Sequence, residues 1–503
     1  CVMIRRMSDE RFGLHVPPHE RRPVAWYAPA GLRRVAREQL WSMNLLRNLD
    51  RRETWNGGIE ITPLGDLADG GGDFWFDFIA DTGDGGNATT AVAQGALAAT
   101  LTATDTQGQP RSLPEGQLLV LGGDLAYPGA SPETYQSRLV EMFELARDRR
   151  SRFDDAPGGL AHDAPFTREH KLVAAIPQNH DWFDSASTFC RYFVHPEKAG
   201  LVGARAPQQR TYFALQLPHR WLLLGLDFAL TGDLDRAQYE AFAALAQPGR
   251  LPQGTQLVLV YPEPYWTRTL GDGSDAAYPK RYQRLEHLFH RAGLPVRARI
   301  AGDLHHYARE RLPCGPDGRS TDLITCGSGG AFGHATHVRE VSEPKFMQIG
   351  EDEHAVQDEL RGRVFIGRGP HGRAPVLADD AGEQLLRYEP QAAYPAPDTS
   401  WRRAWRNLGA LLRLGDAGLL QSNFSFAAGT GALYLLACAL PGALMALPLL
   451  PVWFGAAMMA TDNDPARATR ADHASAWALC AAQVPLVLGL QWLFAHGPLA
   501  RWW

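Results

Sequence analysis

Cysteines are few in this chain, and they do not stand in spacings that bind zinc or form a compact disulfide framework. Six cysteines are scattered over 503 residues, and no two of them form a CxxC pair. Zinc sites and small disulfide-stapled domains usually show paired cysteines at short spacings. Reduced thiols are therefore expected, and a disulfide-stapled fold is disfavoured.

The sequence also lacks an excess of positive charge. It has 50 Lys and Arg residues against 55 Asp and Glu residues, so its net charge is −5. Proteins that bind nucleic acid usually carry a strongly basic surface. The composition therefore predicts no nucleic-acid partner.

No apolar stretch of signal-peptide length is found near the start of the given residues. The segment RRPVAWYAPAGLRRVAREQLW is basic and only loosely amphipathic. A signal peptide needs a continuous apolar core. We expect no secretion signal in this part of the sequence.

Charged residues of either sign are missing from two long stretches near the end, residues 417–461 and 474–495. A membrane-spanning helix needs about 20 apolar residues. Prolines interrupt the first stretch, which predicts one span near residues 428–450, with re-entry through 451–461 left open. The second stretch predicts another span. Buried core helices are the alternative interpretation for both.

The segment before these stretches is typical of a helix at a membrane surface. SWRRAWRNLGALLRLGD places four arginines among Trp and Leu residues, as interfacial helices do. An ordinary amphipathic surface helix would show a similar pattern. Arginines before a first span favour a cytoplasmic side for the domain that precedes it.

Changes in composition divide the chain into four segments. Residues 1–70 are basic and predict a helical and loop extension, and residues 71–345 alternate between apolar runs and helical patterns. Residues 346–400 are charged and rich in Pro and Gly, which predicts an irregular peripheral segment or linker. Residues 401–503 predict the membrane-surface helix and about two spans.

The alternating region predicts an α/β fold. Runs such as QLLVLGGD, KLVAAIPQNHD, RWLLLGLD and RARIAGD resemble buried strands that end in polar or Gly residues. Strands separated by helices favour a layered α/β domain. In this class, functional side chains gather where strands end and loops begin.

Four of these runs end in acidic, amide, phenol or imidazole side chains. In chain order they offer Asp81 and Asp84; Asp124 and Tyr127; Asn179, His180 and Asp181; and Asp303, His305 and His306. Taken singly, an Asp after a strand is more often a turn or cap residue than a ligand. As an ordered set, oxygen and imidazole donors at strand ends predict a centre for zinc, manganese or iron.

The motifs DTG, GDLAY, QNHD, YPEP and GDLH occur in this order, and they resemble the calcineurin-like metallophosphoesterase superfamily over residues 73–340. The DxG and GDxxY pairing is similar to that of purple acid phosphatases, where the Tyr ligates ferric iron. Longer stretches such as FWFDFIADTGDGGNAT and GGAFGHATH resemble a membrane-associated branch known from plants and bacteria. The resemblance implies a layered α-β-β-α sandwich, followed here by C-terminal transmembrane helices, with a bacterial inner membrane as the expected location.

The resemblance also implies an activity and a set of ligands. A phosphoester would be hydrolysed at two metal ions of iron, manganese or zinc. The implied ligands are Asp81, Tyr127 and His305 on the first ion, Asn179 on the second, Asp124 bridging both, and Asp303 in place of a histidine. His180, oriented by Asp181, would protonate or steady the leaving oxygen.

The sequence departs from the superfamily pattern at two positions. Asp303 replaces the first His of GHxH, which would shift metal preference toward manganese or iron. Pro262 stands where a histidine ligand is expected, and its neighbour Glu263 would point to the opposite face of a strand. The alternative to a membrane-tethered enzyme is therefore a membrane-associated binding module that keeps the fold but has lost catalysis.

Four residues keep two interpretations. His306, His334, His337 and Asp84 could reach substrate or support the ligands, or they could be ordinary loop and turn residues. A transporter or channel is disfavoured, because the apolar stretches hold no charged residue to mark an ion path.

Overall fold

The protein is described here by a computed structural model. The residues whose structure is described are 23–24, 35–42, 44, 50–55, 58–68, 72–105, 108–146, 171–194, 201–228, 230–265, 280–312, 319–336, 363–365, 376–378, 389–410, 431–432, 478, 485, 488–489 and 492. The chain divides into two compact units: Cys1–Pro23 with Trp41–Pro397, and Val24–Leu40 with Asp398–Trp503. The first unit contains all of the predicted metal ligands.

Within the described residues, the chain forms fifteen strands. They are β1 (Ile61–Pro63), β2 (Phe76–Ile79), β3 (Thr100–Thr104), β4 (Pro110–Pro114), β5 (Leu118–Leu121), β6 (Leu172–Ala175), β7 (Phe213–Leu217), β8 (Trp221–Gly225), β9 (Gln256–Tyr261), β10 (Val296–Ala301), β11 (Tyr307–Leu312), β12 (Thr321–Cys326), β13 (Arg363–Phe365), β14 (Val376–Ala378) and β15 (Glu389–Tyr394). Eight strands form the larger sheet in the order β1-β7-β8-β9-β10-β12-β11-β15. A second sheet has the order β2-β5-β6, and β3-β4 and β13-β14 form two hairpin-like pairs.

The described α-helices are mostly short. They are α1 (Gly86–Ala96), α2 (Pro132–Tyr135), α3 (Glu141–Ala146), α4 (Ser187–Phe189), α5 (Arg236–Ala243), α6 (Lys280–Arg291) and α7 (Pro397–Ala410). The Ser131 hydroxyl accepts a hydrogen bond from the Thr134 amide at the start of α2, where Pro132 provides a preset backbone angle. The Asp235 carboxylate caps α5 in the same way through the Gln238 amide.

The two sheets pack face to face between two helical layers. Apolar side chains of β5 and β6 meet those of β7, β8, β9 and β10 in one buried cluster. The other face of the smaller sheet packs against α1 and the helical segments that include α3 and α4. The other face of the larger sheet packs against α5 and α6. On α6, Tyr282, Leu285 and Phe289 form one apolar stripe. The layering is therefore α-β-β-α, as the sequence predicted.

Strand register brings the functional segments to one edge of each sheet. In the smaller sheet, Ile79 pairs with Leu121 and Leu121 with Ala175, all in parallel strands. In the larger sheet, Tyr261 pairs with Ala301 in parallel. The loops after β2, β5, β6, β9 and β10 therefore leave at the carboxyl ends of their strands, where ligand sites of α/β folds usually form.

Two strands of the larger sheet come from segments for which the sequence predicted no strand. β1 lies in the basic extension and pairs with β7, and β15 lies in the presumed linker and pairs with β11. Both segments contain proline, and β1 has only three residues, so neither shows the apolar alternation from which strands are predicted.

The predicted membrane spans fall almost entirely outside the described residues. No helix among the residues that the structure does describe is long and apolar enough to cross a membrane. In the second unit, the predicted surface helix is present as α7, where Trp401 and Trp405 are exposed and their rings meet edge to face at 5.8 Å.

Candidate metal centre

Three of the predicted ligands sit in strained backbone at strand ends. Asp81, Asp124 and Asp303 have φ angles of 60°, 50° and 68°, in the left-handed region. For a residue other than glycine this conformation costs about 1–2 kcal/mol. Such strain persists where the surrounding structure fixes it, and it is concentrated at functional sites.

The phenol of Tyr127 lies at the centre of a buried polar cluster. Its oxygen is 3.0 Å from Asp124 Oδ2, 3.3 Å from Asp81 Oδ1 and 3.3 Å from His305 Nε2. His305 Nε2 lies 3.5 Å from Asp81 Oδ1. Four side chains from three separate loops therefore point their donor atoms at one small volume.

The carboxylates of this cluster are short of positive charge. Burial raises the pKa of Asp81 to about 6, although its hydrogen bond with His305 works in the opposite direction. Burial, then repulsion from Asp181 and Asp81, raises the pKa of Asp124 well above its ordinary value. A metal cation would reverse this balance, because it favours the ionised form of each carboxylate.

The ring of His305 is held by the loop that follows β12. Its Nδ1 lies 2.8 Å from the Phe332 carbonyl oxygen. A carbonyl can only accept, so Nδ1 donates, and Nε2 is the nitrogen that meets Asp81 and Tyr127. Histidines that ligate metals are usually held in this way through their other nitrogen.

The loop that follows β12, residues 327–333, is rich in glycine and is called the glycine-rich loop below. Hydrogen bonds hold it against the segment between β2 and α1. The Gly329 amide donates to Ala80 O at 2.9 Å and the Ala331 amide to Asp81 O at 3.0 Å. The Asp84 carboxylate accepts from the Phe332 amide at 3.2 Å. Asp84 therefore supports the loop that orients His305.

His334 is the loop histidine that the structure brings to the site. Its ring stacks on His305 at 4.4 Å with an interplanar angle of 9°, and its Nδ1 accepts from the His305 amide at 3.1 Å. Burial, followed by the neighbouring His305 and His306, lowers the pKa of His334 to about 4. His306 is buried and its carbonyl accepts from the Gly327 amide. His337 lies outside the described residues.

A second group of polar side chains lies between the two sheets' strand ends. Gln178 Nε2 donates to Asp303 Oδ1 at 2.8 Å, and the Asp303 amide donates to Asp81 Oδ2 at 2.9 Å. Gln178 Oε1 and Asn179 Oδ1 are buried acceptors without a hydrogen-bond partner in the part of the chain that is described. These two amide oxygens are therefore available to a ligand.

Asp181 has a different role from the one that the resemblance implied. Its carboxylate accepts from the amides of Asp124 at 2.7 Å, Leu125 at 3.1 Å and Gln178 at 2.9 Å, and from the Tyr135 hydroxyl. Asp181 thus ties the Asp124 loop to the Gln178 loop. Buried polar groups are normally hydrogen-bonded, and these four donors satisfy the buried carboxylate of Asp181.

His180 is oriented by a backbone carbonyl instead. Its Nδ1 lies 2.8 Å from Pro128 O, so Nδ1 donates and Nε2 lies on the other side of the ring. The ring packs between Tyr127 at 4.6 Å and Phe183 at 4.7 Å. Burial lowers the pKa of His180 to about 4. The expectation that Asp181 orients this ring is corrected by this geometry.

Pro262 occupies the strand end where an imidazole was expected. It follows Tyr261, which pairs with Ala301, so it leaves the sheet beside Gly302 and Asp303. Pro262 is buried and Glu263 is half-buried, and neither supplies an imidazole at this edge.

The candidate ligands include a phenol and two amides as well as carboxylates and an imidazole, and the site fits a metal ion when all of these side chains are considered. No group of three or more His, Cys, Asp or Glu side chains in the described ranges is placed to hold a metal ion by itself. The site adds a phenol and amide oxygens to its carboxylates and imidazole. Both amide oxygens, of Gln178 and Asn179, are buried and have no hydrogen-bond partner within the described ranges, which fits a cation that takes oxygen ligands.

Sequence reasoning missed two contributors to this site. Gln178 binds Asp303 through its side-chain amide. The signal in the sequence is that QNHD has glutamine where the superfamily motif has glycine. Phe332 holds His305 through its carbonyl, a contact that depends on the path of the loop and leaves no mark on residue type.

Comparisons with known proteins give weak likenesses. No family model matches the chain, and no curated protein matches it. Among solved structures, a purple acid phosphatase from yellow lupin (Lupinus luteus) seeds matches with 14% identity and a TM-score of 0.32, over 63% of this chain and 53% of that chain. PhoD matches with 11% identity and a TM-score of 0.30, over 63% of this chain and 71% of that chain. The chain spans about half the length of the lupin phosphatase.

Proposed function

We propose that this protein is a metal-dependent phosphoesterase. The observation that supports it is the convergence of Tyr127, Asp81, Asp124 and His305 on one volume. Two amide oxygens, of Gln178 and Asn179, are also buried without a hydrogen-bond partner among the residues that the structure describes. Asp81, Tyr127 and His305 would hold one ion, Asn179 a second, and Asp124 both. Bound ions would supply a Lewis acid and an activated water at neutral pH.

The protein's own residues would handle the proton and the geometry. His180 donates through Nδ1 to Pro128 O, and its pKa is lowered to about 4. The ring is therefore neutral at pH 7, and Nε2 is the nitrogen that would accept a proton or a hydrogen bond at the reacting phosphoester. Asp181 joins the loops of Asp124 and Gln178, which keeps the ligands at fixed separation. The glycine-rich loop keeps His305 Nε2 directed at Asp81.

A binding module without turnover is the second candidate. Pro262 favours it, because this position supplies no ligand to the second ion. The two candidates share the metal centre and differ in whether an ester is cleaved.

Hydrolysis before and after metal removal separates these candidates. The full chain would be assayed with p-nitrophenyl phosphate and its bis-ester, then treated with chelator and reloaded with Mn²⁺ or Fe²⁺. The proposal expects turnover that is lost on chelation and returns on reloading. Metal binding without turnover of either ester would instead establish the binding module.

Membrane attachment is proposed from the sequence alone. The uncharged stretches would anchor the chain in a bacterial inner membrane with the first unit in the cytoplasm. The substrate would then be a phosphoester at or near the bilayer.

A further inference from the structure

The strand end at Pro262 leaves one ligand position unfilled on the side of the second ion. β9 and β10 run parallel with Tyr261 opposite Ala301, so Pro262 and Asp303 emerge at the same edge. A proline side chain offers no donor atom. An ion held by Asp124 and Asp303 would therefore need a further ligand from another residue.

Gln178 is placed to supply that group. The residue is 1% exposed, and its Nε2 donates to Asp303 Oδ1 at 2.8 Å. Reversing the amide would set two oxygens against each other, so this contact assigns Nε2 to Asp303 and directs Oε1 elsewhere. Oε1 is buried without a hydrogen-bond partner among the residues described.

An amide oxygen in this state needs a ligand. Leaving a buried acceptor unsatisfied destabilises the folded state, because the group has lost its hydrogen bonds to water. The neighbouring Asn179 Oδ1 is in the same state. Two consecutive residues therefore hold oxygens without a hydrogen-bond partner in the described part of the chain. The next residue, His180, joins this segment to the Asp124 loop through a 3.0 Å hydrogen bond from its amide to Asp124 Oδ1.

The backbone is shaped to admit Gln178 at this position. Gly123 has a φ of 99°, and a Cβ there would lie 2.6 Å from Gln178 Cβ and 2.9 Å from its amide nitrogen. Only glycine allows the two loops to approach this closely. The approach holds Gln178 against the loop that carries Asp124.

We propose that Gln178 Oε1 is a ligand of the second metal ion, in place of the imidazole that Pro262 does not provide. The second position then takes oxygen donors only, from Gln178, Asn179, Asp124 and Asp303. Oxygen donors of this kind suit Mn²⁺ or Mg²⁺ better than Zn²⁺. The inference rests on the proposed metal-dependent function, and binding is measured apart from hydrolysis.

Mn²⁺ titration of the full chain tests the proposal. The variants are Gln178→Met, which removes the oxygen at similar size, and Gln178→Glu, which keeps an oxygen but loses the donor to Asp303. Gln253→Met, at an exposed position before β9, is the matched control. Calorimetry and the electron paramagnetic resonance signal of free Mn²⁺ give the number and affinity of bound ions.

The expected results differ for each variant. Wild type and Gln253→Met bind two ions per chain. Gln178→Met keeps the first and weakens the second by roughly 10- to 100-fold. Gln178→Glu retains the second ion, because its carboxylate oxygen still ligates.

Several results would overturn the proposal. Unchanged binding of both ions by Gln178→Met would show that Oε1 is no ligand. Equal loss in Gln178→Met and Gln178→Glu would reduce Gln178 to a positioning residue for Asp303. If Gln178→Met fails to fold, loss of the second ion in Gln178→Glu would contradict the proposal. Two bound ions without ester hydrolysis would overturn the proposed function and leave this inference standing.

Discussion

The Tyr127 hydroxyl lies 3.3 Å from His305 Nε2, although 178 residues separate them in the chain. Tyr127 follows a strand of the smaller sheet and His305 follows a strand of the larger one. Their contact therefore marks the point where the strand ends of both sheets meet, and the proposed metal centre is built there.

Substitution of Tyr127 by Phe tests the phenol as a ligand. In iron-loaded protein, a phenolate on ferric iron gives a visible charge-transfer band, which Tyr127→Phe is expected to abolish. Absorbance spectra of wild type and variant at equal iron content measure this. Tyr212→Phe, at a buried tyrosine in the core of the larger sheet, should keep the band. A band that survives in Tyr127→Phe would remove the phenol from the ligand set.

Two glycines of one loop should differ sharply in their tolerance of alanine. Gly330 has a φ of 139°, and a Cβ there would lie 2.8 Å from the Thr89 amide nitrogen. At Gly333, the contact found for a Cβ is His305 O at 3.9 Å, an ordinary separation. Gly330→Ala should lower the free energy of unfolding by about 1–3 kcal/mol, and Gly333→Ala by under about 0.5 kcal/mol. Urea unfolding of both variants checks this, and equal losses would contradict the loop path described.

Asp322 should stabilise the larger sheet in a pH-dependent way. Arg311 binds its carboxylate through two hydrogen bonds of 2.9 Å each, and Arg309 through two of 3.1 and 3.2 Å. Burial raises the pKa of Asp322, but these bonds outweigh burial and the pKa is lowered. A lowered folded-state pKa means that the stabilisation is present above the unfolded value of about 3.9 and is lost as pH falls through the folded value.

Asp322→Asn should therefore lower the free energy of unfolding by about 1 kcal/mol at pH 7. The difference from wild type should vanish at the lowest pH at which the protein still folds, because Asp322 is then protonated. Thermal unfolding across pH measures it. Glu240→Gln, which breaks the exposed pair with Arg236, should have almost no effect. A cost for Asp322→Asn that is independent of pH would contradict the charge argument.

Membrane attachment can be tested on the full chain expressed in bacteria. If the uncharged stretches span a bilayer, the protein should stay in the membrane fraction after alkaline carbonate washing. High pH disrupts electrostatic contacts with the membrane surface, but it does not extract apolar helices from the hydrocarbon core. Release by carbonate would indicate surface attachment through α7, and recovery in the soluble fraction would contradict attachment altogether.

The fold could be predicted where residue pattern and burial agree. β5 and β6 are wholly buried runs of apolar residues, so the sequence shows them directly. β1 and β15 could not be found in this way, because an edge strand that contains proline and no apolar alternation gains its hydrogen bonds from neighbours far away in sequence.

The motifs allowed the grouping of side chains to be predicted, whereas their role as metal ligands stays a prediction. Asp81, Asp124 and Tyr127 meet as the motifs indicate. The partners of Asp181 and His180 depend on how two loops approach each other, which residue spacing does not encode. Gln178 and Phe332 act through an amide and a carbonyl, and neither group marks a residue as functional in a sequence.

The most direct test of the metal-dependent phosphoesterase is Asp124→Asn in the full chain. Asp105→Asn, at a carboxylate that pairs with Arg111 on the surface, serves as the matched control. Metal content per chain and hydrolysis of p-nitrophenyl phosphate and its bis-ester would be measured on the same samples. We expect Asp124→Asn to lose bound metal and more than about 100-fold in kcat/KM, while Asp105→Asn matches wild type. Full activity and metal content in Asp124→Asn would contradict the proposed function.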